Sequence, residues 1–163
     1  SRGADYITVE REEQHVANYL QIQSVRYGSI MRYTIDIDPA LHERYMLKIV
    51  LQPLVENAIL HGMRDKNAGE IIINAEADED TVRITLFNNG AADLEKGEQS
   101  INRDYRNKSH FTGIGLYNVH SRLRLLYGEA YGLTPNRHLE DGFEIIVCIP
   151  RKEASLDDSY TDR

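Results

Sequence analysis

A single cysteine, Cys148, stands among 163 residues, so no disulfide can close within the chain. Its place inside an apolar run reads as a buried strand thiol. No Cys/His cluster has the spacing of a zinc site. Long hydrophobic runs are also missing: none could span a bilayer, and nothing resembles a signal peptide. Basic runs are absent, and the net charge is −7. That excludes a broad positive face for nucleic acid or anionic membrane and leaves room only for a local positive pocket. The expectation is a soluble, cytosolic chain. Its abrupt start and polar tail are those expected of a piece of something larger.

What is present is an ordinary globular composition, 41% apolar and 28% charged, at a length that closes one core. After Thr8, "VEREEQHVANYLQIQSVRYG" carries early acidic residues, apolar Val16, Tyr19, Leu20 and Ile22, and a stop at Gly28. It predicts a helix. "MRYTIDID" alternates Met31, Tyr33, Ile35 and Ile37 as a strand does, and Pro39 ends it. A second helix is expected from about Tyr45 to His61, with Pro53 kinking it or marking a fresh start. "EIIINAEAD" and "VRITLFN" flank a turn and read as a β-hairpin.

From Asn88 to Thr112 neither period persists, and a polar loop this long within a domain is usually functional or disordered. A third helix, "IGLYNVHSRLRLLYG", sets Leu116, Val119, Leu123 and Leu126 on one side. A short strand, "YGLT", and a long buried one, "FEIIVCIP", follow. The hairpins rule out an all-parallel sheet. The predicted fold is α+β: a two-layer sandwich of a mixed, mostly antiparallel sheet with about three helices on one face. The other face is expected to be more polar. Residues 1–8 are assigned to a flexible remnant, 9–150 to the domain and 151–163 to a polar tail that frays.

Three clusters carry candidate chemistry. Asn57 lies on the apolar stripe marked by Val50 and Leu54, as does His61, in "LQPLVENAILHG". Its amide needs partners if buried. The bland reading is a core asparagine satisfied by backbone. "FNNG", Phe87–Gly90, ends a strand in a turn; its bland reading is a glycine with positive φ. "GIG", Gly113–Gly115, precedes a helix, where free amides form an anion site that glycines let a phosphate approach. Taken together, the clusters describe a nucleoside triphosphate with Mg²⁺ between the second and third helices, the amide oxygen serving as a metal ligand and the loop as a lid.

In this order the clusters resemble the ATPase fold shared by gyrase, the heat-shock chaperones, histidine kinases and mismatch-repair proteins (the GHKL, or Bergerat, fold). "EQHVANYLQIQSVRYG", "LQPLVENAILHG" and "GIGLYNVHSRLRLLYG" resemble sensor histidine kinases of the LytS/YesM type over about Val9 to Pro150. The resemblance implies that Asn57 ligates Mg²⁺ on the ATP phosphates. Gly113, Ile114, Gly115 and Leu116 then belong to the box whose backbone lies against those phosphates. Asn88, Gly90 and Ala92 stand in the box that receives adenine, residues 93–112 form the ATP lid, and His61 lines the site. Glu56, beside Asn57 but about 100° around the helix, is the candidate for helping to orient the reacting groups.

The chain departs from the family pattern at several positions. Asn88 replaces an aspartate, removing charge assistance from the adenine contact, and Ala92 stands where a second glycine is common. Leu60 replaces a lysine, with Arg64, Arg106 and Lys108 as candidates for the missing phosphate contact. Phe143 follows Gly142 where threonine is usual. Pro53 stands where hydrolysing relatives carry a glutamate, which favours phosphoryl transfer over hydrolysis. None of the six histidines has the Pro-His-Phe context of the phosphoacceptor. The implied function is transfer of the ATP γ-phosphoryl group to a histidine on a separate dimerisation domain. A response regulator is the implied partner downstream, and the implied parent is a membrane-anchored homodimer with this portion in the cytoplasm. The alternatives are an anti-sigma-type serine kinase and a degenerate interaction module.

Overall fold

The computed structural model describes residues 5–62, 69–89, 111–138 and 142–151. The first helix forms where its end signals direct. In α1 (Val9–Tyr27) the Thr8 hydroxyl accepts the Arg11 N–H at 3.2 Å, acidic residues occupy the first turn, and Gly28 closes the end at φ 62°. Val16 and Leu20 point into the core, but Ile22, expected on the same stripe, is exposed. The buried face follows Val9, Glu12, Val16 and Leu20 and has rotated past Ile22 by the last turns.

The N-terminal remnant is corrected by the structure. Tyr6–Thr8 form a strand, β1, antiparallel to β3 (Tyr45–Leu47), with Thr8 opposite Tyr45. The second helix is therefore shorter than its apolar rhythm suggests. It runs as α2 from Leu51 to Gly62, and Pro53 lies in its first turn, where a missing N–H costs nothing.

The main sheet has the order β2-β4-β5-β7-β6, formed by Met31–Ile37, Gly69–Ala77, Thr81–Asn88, Gly142–Pro150 and Gly132–His138. Only the β2–β4 pair is parallel, so the sheet is mixed and mostly antiparallel as expected. The β4–β5 turn is tied by Asp78, which accepts the N–H groups of Asp80 and Thr81, the Thr81 hydroxyl and Arg83. Those amides, Thr81 first, hold its carboxyl down at about 2.

Ile71, Ile73, Val82, Ile84, Leu86, Ile145 and Val147 bury one sheet face beneath the helices. The opposite face carries Arg32, Thr34, Asp36, Arg83 and the half-buried Cys148. Cys148 thus belongs to the more open face rather than to the core, and partial burial still pushes its thiol up.

The third helix, α3 (Phe111–Tyr127), starts before the expected glycines, so Phe111 and Thr112 belong to the helix rather than to the loop. Leu116, Val119 and Leu123 are buried as read, whereas Leu126 is exposed. Tyr127 packs against the core in its stead, and its hydroxyl oxygen accepts the Leu47 N–H.

Candidate functional site

The amide of Asn57 is the best candidate for chemistry in the described molecule. It is 5% exposed, and its Oδ1 is fully buried without a hydrogen-bond partner. An unpaired buried acceptor costs about 1–3 kcal/mol, so its retention requires an explanation. Helix α2 carries it between two neighbours, packing against both β5 and α3. These are the elements that hold the other two clusters.

On β5 the row Val82, Ile84, Leu86 faces the helices and ends in Asn88, a polar side chain 3% exposed. Across the ladder from it lie Ile71 on one side and Phe143 on the other. One amide among apolar walls is the chemistry of a pocket that takes a flat, hydrogen-bonding ring. Phe143, in the position where threonine is usual, is itself buried and contributes wall rather than a polar contact. The strand end is closed by Asn89, whose Oδ1 accepts the Glu70 N–H at 2.6 Å while its own N–H reaches the Glu70 carbonyl.

On α3, Gly113, Ile114 and Gly115 occupy the first turn and the residue after it, where backbone N–H groups lack intrahelical partners. A Cβ at Gly115 would meet nothing within 4 Å, so its backbone borders open space. The side chain of Leu116 is fully buried in the core, which leaves only its backbone for a ligand. Gly90, Ala92 and Lys108, together with most of the lid and the candidate cations Arg64 and Arg106, lie outside the described residues. So do the side chains of His61 and Ile114.

Glu56 falls elsewhere. It is exposed, accepts a hydrogen bond from Gln52 Nε2 at 3.1 Å, and faces α1, where after burial it is the main influence raising the Tyr19 hydroxyl pKa. Leu60 is also on the exposed side of α2. The structure thus brings Asn57, Asn88 and the start of α3 onto neighbouring elements and turns Glu56 outward.

The sequence reading missed the device that sets the start of α2. Glu12, on α1 and only 2% exposed, accepts the N–H of Ile49 at 2.7 Å, of Val50 at 3.2 Å and of Leu51 at 3.1 Å. A carboxylate from another helix thus caps α2. Arg122 of α3 donates to the carbonyls of Lys48 and Ile49 at 2.8 and 3.0 Å. Between them Ile49 is held at φ 56°, a left-handed conformation that costs a β-branched residue roughly 1–2 kcal/mol. A glutamate in an acidic first turn looks like a response to the helix dipole, and only the fold reveals its second task.

The Asn57 amide oxygen fits a hard divalent cation. It is an oxygen donor lacking a partner, and Mg²⁺ typically takes one or two protein oxygens alongside substrate phosphates.

Comparison with known proteins agrees with this geometry. Residues 42–153 match the model of the family described as histidine kinase-, DNA gyrase B- and HSP90-like ATPases. The chain is 31% identical over 147 residues to the sensor histidine kinase YesM of Bacillus subtilis, covering 90% of this chain and 24% of that protein. It is 33% identical over 153 residues to the sensor histidine kinase YpdA of Escherichia coli, covering 93% of this chain and 26% of that one. It therefore spans about a quarter of the length of these relatives. Among solved structures, the catalytic domain of the histidine kinase ThkA superposes with a TM-score of 0.69 at 20% identity, covering 90% of this chain and 96% of that one. That likeness establishes the fold.

Proposed function

The chain belongs to the family of histidine kinase-, DNA gyrase B- and HSP90-like ATPases, and from that premise we propose that it is the ATP-binding catalytic domain of a sensor histidine kinase. The observation that carries the reading is the orphaned Oδ1 of Asn57, on the helix between the strand ending in Asn88 and the helix beginning at Phe111. Adenine would lie against Ile71 and Phe143 with Asn88 as its polar contact. The phosphates would meet the free amides of the first turn of α3 and the open backbone at Gly115.

Mg²⁺, held through Asn57, would neutralise charge on the phosphate oxygens. The protein's own contribution is orientation and backbone donors aimed at the phosphates. The acceptor is a histidine on a separate dimerisation domain. A neutral imidazole needs no strong base before it attacks phosphorus, so the outward turn of Glu56 is compatible with transfer. His61, Gly90, Ala92 and Lys108 stay assigned to the same pocket by their place in the family pattern, and residues 93–112 to its lid.

The partners follow from the relatives. ThkA has been solved in complex with the response regulator TrrA, and a response regulator is the expected recipient of the phosphoryl group here. The parent is a membrane-anchored homodimer that holds this portion in the cytoplasm.

The test is a phosphotransfer assay with γ-labelled ATP, Mg²⁺ and a separately prepared dimeric acceptor domain from a LytS/YesM-type kinase. Acid-labile, alkali-stable label on the acceptor histidine is expected. Label on a serine would favour the anti-sigma-type kinase, and bound nucleotide without transfer would reduce the domain to an interaction module.

A further inference from the structure

We infer that Glu12 is a positioning residue of the nucleotide site: its carboxylate sets the height and rotation of α2, and so the aim of Asn57 Oδ1. The inference rests on the proposed nucleotide site and adds a residue to it from a different helix. Glu12 is buried, yet its two oxygens take three consecutive N–H groups, those of Ile49, Val50 and Leu51. Those donors belong to the entry of α2, and Val50 stands on the same helical stripe as Asn57. Seven residues separate them, which is about two turns and roughly 10 Å along the axis. A helix gripped at its first turn by a rigid buried acceptor cannot rotate or slide without breaking those bonds.

The grip is opposed from the other side. Arg122 holds the carbonyls of Lys48 and Ile49 from α3, the helix whose first turn borders the phosphate side. Ile49 keeps its left-handed backbone between the two, and such strain persists only where the surroundings over-determine it. Glu12 is fixed in turn by its own helix start. Val9 and Glu10 donate their N–H groups to the carbonyls of Arg44 and His42, and Lys48 donates to Asp5. The metal ligand is therefore referenced to α1 through Glu12 and to the phosphate-facing helix through Arg122. Neither residue touches nucleotide by this account; each acts through Asn57.

The test uses this 163-residue chain and a non-hydrolysable ATP analogue, measuring affinity with and without Mg²⁺ at a temperature where circular dichroism shows every variant folded. The readout is the ratio of the two affinities. Glu12→Gln keeps one acceptor oxygen and presents an amide donor to the N–H row. It is expected to lower the Mg²⁺ enhancement about tenfold, the usual scale for losing a group that orients a metal ligand, and to leave the Mg²⁺-free affinity within about twofold. Arg122→Met, at a more exposed side chain, is expected to lower it by a smaller factor and serves as the deciding variant if Glu12→Gln does not fold. Adding Asn57→Ala to either should bring no further loss.

A Glu12→Gln protein with a lower melting temperature but an unchanged Mg²⁺ enhancement would overturn the inference, since a purely structural role predicts that result. An equal loss with and without Mg²⁺ would overturn it too. A wild-type protein that binds the analogue without Mg²⁺ enhancement would instead overturn the metal role of Asn57 on which the inference rests.

Discussion

Gly142 lies against Phe87 so closely that a Cβ on the glycine would stand 2.2 Å from the ring and 2.8 Å from the Asn88 carbonyl oxygen. The ladder explains why: Phe87 pairs with Glu144 and Asn88 with Phe143, so Gly142 begins β7 at the end of β5 where the candidate adenine contact sits. Gly142→Ala should therefore push on backbone as well as ring. Overpacking of this kind costs about 1–3 kcal/mol, and the urea midpoint should fall accordingly. Trimming the ring with Phe87→Leu should recover only part of the loss, because the Asn88 carbonyl remains in the way. An unchanged midpoint for Gly142→Ala would show that this strand end yields freely.

A second prediction concerns His120. Its Nδ1 accepts the Leu133 N–H at 3.0 Å, and burial, followed by the nearby Arg124, lowers its pKa below the ordinary 6.5. The neutral ring is the form that the fold holds. Below about 6.5 the unfolded chain takes up this proton more readily than the folded one, so stability falls as pH drops from there through the depressed folded value. Denaturation at pH 7.5 and pH 5 should show that decline, and His120→Gln should flatten its share. A His120→Gln curve parallel to wild type would remove the imidazole from the account.

The carboxyl of Asp78 titrates at about 2, which NMR can read directly. Its contribution to hairpin stability is present above the unfolded value of 3.8 and is lost as pH falls through about 2. Asp78→Asn should erase that acid-side dependence. A measured value near 3.8 would mean that the Thr81 and Asp80 amides do not hold the carboxylate in solution.

For Asn57, stability and binding should separate. Removing a satisfied core asparagine would strip partners from the backbone, but the Asn57 oxygen has none to lose. Asn57→Ala should therefore change the stability of the ligand-free protein by less than about 1 kcal/mol, because relief of an unpaired acceptor offsets lost packing. Leu54→Ala on the same stripe, fully buried, should cost about 2–5 kcal/mol. Equal losses for the two would return Asn57 to the status of a core residue.

The fold was legible wherever a local rule had no competitor. Thr8 and Gly28 bracket α1 as written, and the alternation in "EIIINAEAD" and "VRITLFN" became β4 and β5. The misreadings fall where tertiary contacts outvote periodicity. Tyr45–Leu47 carries helical rhythm but pairs with Tyr6–Thr8 as a strand, because the backbone of β1 offers it a ladder that sequence cannot display. Leu126 matches its stripe by spacing, yet Tyr127 takes the buried place by bonding to Leu47.

Within the site, Asn57 could be found because an amide on an apolar stripe is an anomaly in one dimension. Glu12 could not, since its three donors lie 37 to 39 residues away and nothing local marks a carboxylate that will be buried. The outward turn of Glu56 follows from helix geometry alone, being one residue from Asn57.

The most direct test of the central claim is calorimetric titration of the domain with a non-hydrolysable ATP analogue, with and without Mg²⁺, for wild type and Asn57→Ala. The account predicts saturable binding that Mg²⁺ strengthens in wild type, with that strengthening absent in Asn57→Ala. A folded wild-type protein that binds no analogue, or an Asn57→Ala protein with undiminished Mg²⁺ enhancement, would contradict it.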